Sequence, residues 1–387
     1  MKNIGILETH FHIKLINTLM KICKTEKTNV TVFTTPEIYS RIKIYIDDKS
    51  KYEIVLKEED ESINNYLKRV EKICEKKIDL LFVNTIQMSM IDIPHFIGFK
   101  PKSKMILTVH VTNHFLRAKF AYKTKNIIRA IDVNLGIFLL RNFVLKNFDA
   151  INVIYSPLKK YIEENTKYDK PIFEIPYNFY DETRKIKPSV KDEKIRIIVP
   201  GLIEKYRRDY EIVFSVFEEI FKKHGDKVIL HLLGKPVGLY GENIYERCEK
   251  LKNKGYNVFC SKSFIPEVEF DKISSNADVI FSPIKVKAAR DTGIVEIYGV
   301  SEGSALPFEA VQYQKPLIVP ENFNIIDEIK SSTLKYKSRD DLFKIFDELI
   351  TNKSKLSKLK NEAVKNSEKM SLKVLKRYFE DNVLKLV

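Results

Sequence analysis

Residues 197–220 read IIVPGLIEKYRRDYEIVFSVFEEI. A short β-branched run ends at Pro200-Gly201, a charged stretch follows, and from Tyr210 apolar residues recur at helical spacing. This is a buried strand, a turn and a helix, the repeating piece of a parallel α/β sheet. The same piece recurs on both sides. Downstream, Val228–Gly234, Asn257–Cys260, Val279–Pro283 and Leu317–Val319 read as further strands after Ile195–Pro200. Helices are expected over Tyr210–His224, Ile244–Lys254, Glu267–Asn276 and Pro307–Tyr313, and in a polar tail from Arg339. Upstream, strands are expected at Asn3–Leu7, Val30–Thr34, Tyr52–Leu56, Leu80–Asn84, Met105–His110, Ala150–Tyr155 and Ile172–Ile175, with helices such as Ser62–Lys76 and Lys125–Asn147 between them. Between the two series lies DETRKIKPSVKDEK (residues 181–194), charged and poor in apolar residues, a linker in composition.

The expected fold is therefore α/β, with two Rossmann-like doubly wound domains facing a cleft. Their bounds are 1–185 and 186–387, and the last helix is free to pack back on the first domain. Ligands of such sheets bind beyond the carboxyl ends of the strands, and pockets favour domain interfaces.

Composition narrows the function. The chain has 387 residues, is 44% hydrophobic and 31% charged, and so can bury a core. No apolar run approaches the ~18 residues of a membrane span. The N-terminal MKNIGILETH meets Glu8 and His10 before a signal sequence could form. The four cysteines (Cys23, Cys74, Cys248, Cys260) share no CxxC spacing, which argues against a zinc site or disulfide framework and for a cytoplasmic setting. The net charge is +15, and residues 100–147 alone hold ten basic residues against one acid, Asp132. Such a stretch attracts phosphates on a substrate, a nucleic acid or an anionic membrane, or forms a solvated helix face.

Glycine placement separates the halves. Nine of the twelve glycines lie at or after Gly201, and close approach of backbone to phosphate favours glycine. Neither GxGxxG nor GxxxxGK[ST] occurs, which removes the main support for a dinucleotide oxidoreductase or a P-loop ATPase. Lys205, Arg207 and Arg208 precede a helix, where guanidinium groups and backbone donors suit a diphosphate. The alternative is a surface loop paired with Asp209 or Glu211.

Residues 298–320 read YGVSEGSALPFEAVQYQKPLIVP. Small residues, Ser301, Gly303, Ser304 and Ala305, lead into a helix with Pro307 in its first turn. Glu309 in that turn suits vicinal hydroxyls of a ribose or sugar, or simply complements the helix dipole. Taken with strand–Gly201–basic cluster–helix, this segment resembles the second domain of GT-B glycosyltransferases, nearest to family 4. The resemblance covers roughly residues 195–330. The N-terminal half matches in pattern and in the strand-end histidine of ILTVHVTNH (residues 106–114).

The resemblance implies that Glu309 binds the nucleotide ribose and that Arg207, beside Arg208 and Lys205, contacts the donor diphosphate near Gly201. It places Glu302 or Ser301, with Gly303 and Ser304, at the first-glutamate end of the motif, and His110 near the transferred sugar. Arg207 and His110 are the expected catalytic residues. It also implies a retaining, metal-independent, hexosyltransferase-like reaction with no cofactor beyond a nucleotide-diphosphate sugar. The acceptor would be a saccharide or a lipid phosphate. The basic stretch 100–147 suits an anionic membrane surface, so a peripheral position at the inner face of the membrane is expected. Three departures stand out. Leu202 replaces the family's turn arginine, Glu302 and Glu309 are separated by six residues rather than seven, and Glu8-Thr9-His10 replaces the first glycine-rich loop.

Two other readings remain. Phe115, Phe120 and Tyr122 interleave with basic residues as in nucleic-acid binders, although no RRM, KH, zinc-finger or helix-turn-helix signature accompanies them. A sugar-nucleotide epimerase would use the same fold. His110 and His114 are disfavoured as a metal pair because His110 closes a strand. His10 and His12 either face the cleft or shape a turn, while Lys285, Lys287 and Arg290 read first as a solvated loop, with contact to the donor phosphates as the alternative.

Overall fold

The computed structural model describes residues 1–46, 48–117, 126–183, 193–289 and 294–387. It falls into two compact units. Unit 1 comprises Met1–Asn178, Ala289–Gly303 and Leu372–Val387, and unit 2 comprises Phe179–Ala288 and Ser304–Ser371. Most of the expected linker, residues 184–192, lies outside the described residues.

Unit 1 runs β1 (Lys2–Glu8), α1 (Ile13–Cys23), β2 (Thr28–Thr34), α2 (Pro36–Ile42), β3 (Tyr52–Leu56), α3 (Ile63–Lys77), β4 (Leu80–Val83), α4 (Ile93–Ile97), β5 (Lys104–Val109), α5 (Ile127–Leu139), β6 (Ala150–Val153), α6 (Ser156–Asn165) and β7 (Ile172–Glu174). The strands order as β3-β2-β1-β4-β5-β6-β7 and all pair in parallel. Their central members are apolar on both faces, because helices cover the sheet on both sides. Ile4, Ile6, Val32, Phe82, Ile106 and Ile151 are fully buried.

Unit 2 runs β8 (Ile195–Pro200), α7 (Tyr210–His224), β9 (Val228–Leu233), α8 (Gly238–Asn253), β10 (Val258–Cys260), α9 (Glu267–Asn276) and β11 (Val279–Phe281). Two short strands, β12 (Lys287–Ala289) and β13 (Val295–Ile297), pair only with each other. Unit 2 continues with α10 (Leu306–Tyr313), β14 (Leu317–Pro320), β15 (Thr333–Tyr336), α11 (Arg339–Thr351) and α12 (Lys353–Glu368), and α13 (Leu372–Tyr378) closes the chain in unit 1. Its sheet orders as β10-β9-β8-β11-β14-β15, again parallel. The core is aromatic: Phe217 packs on Phe346 with ring centroids 4.9 Å apart, and Phe281 on Phe346 at 5.3 Å.

Each sheet reverses its strand order once, between β1 and β4 in unit 1 and between β8 and β11 in unit 2. At such a point the two flanking loops leave in opposite directions and open a crevice at the carboxyl edge. Among the described residues, no helix is long and apolar enough to cross a membrane.

The carboxyl edge of unit 2 is held by two glycines. Gly201 has φ +100°, a conformation that favours glycine, and its N–H donates to Leu233 O at 2.8 Å. A Cβ on Gly234 would lie 1.9 Å from Gly201 O, a backbone atom that no rotamer change can move. Gly234→Ala is therefore expected to destabilise the protein by about 2–3 kcal/mol, read as a lowered urea midpoint. An unchanged midpoint would show that the β8 and β9 ends can separate freely.

Candidate active site

At the unit 2 switch point the loop after β8 is laced to the loop after β11. Asp209 N–H donates to Pro283 O at 2.7 Å and Lys285 N–H to Arg207 O at 2.9 Å. The backbones of Arg208 and Ile284 form an antiparallel bridge, and Lys285 Nζ donates to Lys205 O at 2.9 Å. Lys285 is thus a brace between loops, not the solvated residue expected. Lys287 is exposed, and Arg290 lies outside the described residues.

The adjacent arginines take different positions. Arg207 is half exposed and pairs through Nε with Glu204 at 3.0 Å, rather than with Asp209 or Glu211. Arg208 folds back over the strand end. Its Nη1 donates to Leu202 O at 3.0 Å, and a Cβ on Gly201 would fall 2.0 Å from its Nη2. Among the described residues, Arg208 Nε and the strand-end hydroxyl of Ser282 are buried without a hydrogen-bond partner. Such groups are ordinarily met by water or a ligand. The α7 amides are not open as the sequence suggested. Asp209 caps that helix, accepting from Glu211 N–H at 3.2 Å and Ile212 N–H at 3.3 Å.

The second motif is divided. Ser304 and Glu309 belong to unit 2, and Glu302 and Gly303 to unit 1. Glu309 is mostly buried in the first turn of α10, which follows β11 and so starts at the same carboxyl edge as the Arg208 loop. Ser304 Oγ accepts from Leu306 N–H at 3.3 Å, starting the helix. In unit 1, Ser301 is a turn former: its Oγ accepts from Ile297 N–H at 2.9 Å and its carbonyl from Thr112 N–H at 2.8 Å. Glu302 bridges to Val111 through its backbone, and a Cβ on Gly303 would press on Ile154 at 2.8 Å.

The unit 1 switch point carries a cluster that the sequence shows only in part. Glu8 ends β1 fully buried, and its Oε2 accepts from Asn84 Nδ2 at 2.7 Å and Thr85 Oγ1 at 2.6 Å, just beyond β4. Its Oε1 accepts from His10 N–H at 2.7 Å. Burial raises the Glu8 pKa, and these donors only partly offset it. His110, at the end of β5, donates Nε2–H to Asn84 O at 3.0 Å and stacks on His12 with centroids 3.9 Å apart. Burial, and then the nearby His110 and His10, push His12 down to about 2, so it is neutral near pH 7. Its Nδ1 lies 2.7 Å from Thr85 Oγ1; with that hydroxyl donating to Glu8, Nδ1 carries the proton.

Burial lowers His10 too, but the hydrogen bond and charge of Asp92, whose Oδ1 is 3.3 Å from Nε2, outweigh it and leave the pKa raised. Asp92 thus favours the protonated form of His10, whereas burial disfavours that of His12. Glu8 and Asp92 escaped the sequence reading. The one available signal was a carboxylate at a strand end followed by two histidines.

His114 bonds through Nδ1 to buried Glu296 at 2.8 Å, away from His110's partner. Among the described residues, no group of three or more His, Cys, Asp or Glu side chains is arranged to hold a metal ion.

No family profile matches the sequence, and no curated protein matches it. Solved structures do. A glycosyltransferase from Rickettsia africae aligns over 100% of this chain and 99% of its own, at 13% identity and a TM-score of 0.64. The fold is GT-B. Anabaena HepE in complex with UDP aligns over 100% of both chains at 10% identity and a TM-score of 0.65. A UDP-GlcNAc 2-epimerase from Neisseria meningitidis bound to UDP-GlcNAc aligns over 100% of both, at 13% and 0.57.

The pKa of His12 gives a measurable consequence. Its folded value lies below its unfolded value near 6.5, so the unfolded state binds more protons in acid and stability falls as pH drops below about 6.5, continuing toward 2. The slope approaches about 1.4 kcal/mol per pH unit. His12→Gln should therefore lose less stability than the parent between pH 7 and 4.5, by roughly 1–3 kcal/mol in urea titrations. Equal acid slopes would mean that His12 is hydrated and charged in the folded protein.

Proposed function

We propose that the protein is a glycosyltransferase that moves a sugar from a nucleoside-diphosphate sugar to a hydroxyl acceptor. One observation carries the reading: the laced, arginine-bearing strand ends of unit 2, with Glu309 starting a helix at the same edge. The similar structures solved with UDP and with UDP-glucose support it. The donor is assigned to the C-terminal domain (residues 186–387 in sequence terms) and the acceptor to the N-terminal one (1–185).

Arg208 is the first donor-diphosphate ligand in this reading, since its guanidinium already lies over Gly201. Arg207 and Lys205 add charge from the same loop, and Arg207 reaches the ligand by leaving Glu204. A departing nucleoside diphosphate gains negative charge as the glycosidic bond breaks. Fixed guanidinium groups stabilise that charge without reorganising, which is the dominant contribution in such sites. Cationic side chains supply the neutralisation, so the proposed reaction calls for no metal and no cofactor beyond the donor. Glu309 accepts from the ribose hydroxyls, with Ser304 setting its helix. Glu302, with Gly303, is retained as a donor contact by resemblance to family 4, as are retention of anomeric configuration and transfer of a hexose.

His110 is assigned to the sugar or acceptor hydroxyl, and His10, held by Asp92, to the proton that hydroxyl loses. Half-exposed Phe11 between His10 and His12 offers a face on which a sugar ring can stack. The acceptor is a saccharide or a lipid-linked phosphate. Epimerisation of a sugar nucleotide is the second reading, favoured by the epimerase likeness; product analysis of donor incubated without acceptor separates the two.

Calorimetry with UDP, GDP and ADP tests the site. Arg208→Ala and Glu309→Ala should each weaken the preferred nucleotide roughly 10- to 100-fold, the range for a hydrogen bond to a charged group. Arg207→Ala is expected to cost less, since that side chain starts in an ion pair. Unchanged affinity in both Arg208→Ala and Glu309→Ala, with intact thermal melts, would remove the donor site from unit 2.

A further inference from the structure

Helix α5 is apolar on two opposite sides. Val133, Gly136 and Ile137 are buried inward, a line continued by Leu140 and Val144. On the far side Ile127 is 76% exposed, Ile128 79%, Ile131 58% and Phe138 52%, with Leu135 also exposed. At about 100° per residue these five side chains fall within an arc of about 100° and run about 16 Å along the axis. A surface helix needs one apolar stripe to join its core; the second has no folding role. The patch extends sideways. Met90 N–H donates to Asp132 Oδ1 on α5 at 2.7 Å, which brings the next residue, Ile91, 83% exposed, alongside the helix. Beyond the helix, Phe143 packs edge-on against Phe138, with centroids 6.0 Å apart. Contiguous apolar surface of this kind marks an interaction site.

Charge identifies the occupant. The stretch 100–147 that contains α5 carries ten basic residues and one acid, and that acid, Asp132, is already bonded to the Met90 amide. Lys146 Nζ sits 5.2 Å from the Phe143 ring centre, a cation at the end of the apolar stripe, while Arg129 is exposed on another side of α5. Lys119, Lys123 and Lys125 lie outside the described residues. Arg141 is turned inward, donating to Phe115 O at 3.1 Å, and takes no part. A second copy of the chain would set this basic surface against itself in a two-fold contact. A nucleic acid would meet the cations but leave the isoleucines in water. A leaflet of anionic lipid satisfies both, with apolar side chains in the acyl boundary and cations among the headgroups.

We propose that the outer face of α5 docks this protein in the plane of an anionic lipid surface, with Ile127, Ile128, Ile131 and Phe138 sunk below the headgroups. Docking narrows the proposed acceptor to one presented at a membrane, and to that extent rests on the transferase reading. Vesicle binding itself is measured without donor, so the two claims fail separately.

The full chain contains no tryptophan, so Phe138→Trp provides a single reporter on the exposed stripe. Its emission should shift to the blue with vesicles of phosphatidylcholine and phosphatidylglycerol, not with phosphatidylcholine alone, and brominated acyl chains should quench it. In co-sedimentation, the double variant Ile131→Ser/Phe138→Ser should lose tenfold or more in vesicle affinity while its thermal melt and nucleotide affinity stay unchanged. High salt should weaken binding of the parent. Any of three results overturns the proposal: no blue shift with anionic vesicles; a double variant that binds like the parent, which would leave only surface attraction; or a parent that ignores vesicles and forms a dimer that the double variant abolishes.

Discussion

A parallel sheet that reverses its strand order leaves two loops side by side with no strand between them, and their backbone groups must find partners there. In unit 2 they find each other. The Asp209 and Lys285 amides bond across the gap to Pro283 and Arg207, and the Lys285 ammonium closes on Lys205 O. The position of Arg208 follows from this lacing. Arg208 is held where its neighbour Ile284 bridges, and Gly201, with no side chain and a positive φ, leaves room for the guanidinium above the strand end. In the proposed donor site the Arg208 guanidinium is thus held by main-chain geometry before any ligand arrives, which is what electrostatic stabilisation requires.

Unit 1 solves the same topological problem with side chains. Glu8 draws the ends of β1 and β4 together through Asn84 and Thr85, and the histidines arrange themselves around that buried carboxyl group. The face-to-face contact of His12 and His110, each with one N–H, opposes a positive charge on both rings at once. The protons at this edge are therefore sorted among neighbours: Glu8 is pushed toward its neutral form, His12 is kept neutral, and His10 is poised by Asp92.

Much of the architecture was legible because β-branched runs and helical periodicity are local. All seven strands of the first sheet and five of the second stood in the sequence, β3 and β8 to the residue, as did α7 and α9. What escaped was short or mixed in pattern. TLKY at β15 alternates polar and apolar residues at a sheet edge, and β12 and β13 have three residues each. The expected helix 125–147 changes pitch after Leu139, where helical spacing alone gives no warning. The candidate sites were less legible for a different reason. Glu8 meets Asn84 and Thr85 across 76 and 77 positions of sequence. Nothing local distinguishes Arg208 from Arg207 either; the difference arises from the turn geometry at Gly201.

The segment Ala289–Gly303 gives the gene a property that its two-sheet plan conceals. It is encoded between β11 and α10 yet belongs to unit 1, where Glu296 is fully buried against His114 and Ser301 receives the Thr112 amide. Leu372–Val387 returns to unit 1 as well. Severing the coding sequence near codon 186 would strip the first polypeptide of both returning pieces and leave His114 without its carboxyl partner. The second polypeptide would carry an orphaned carboxyl group and a hairpin with nothing to pack on. Recombination between relatives that keeps this protein whole must exchange the chain in interleaved blocks, not as front and back halves.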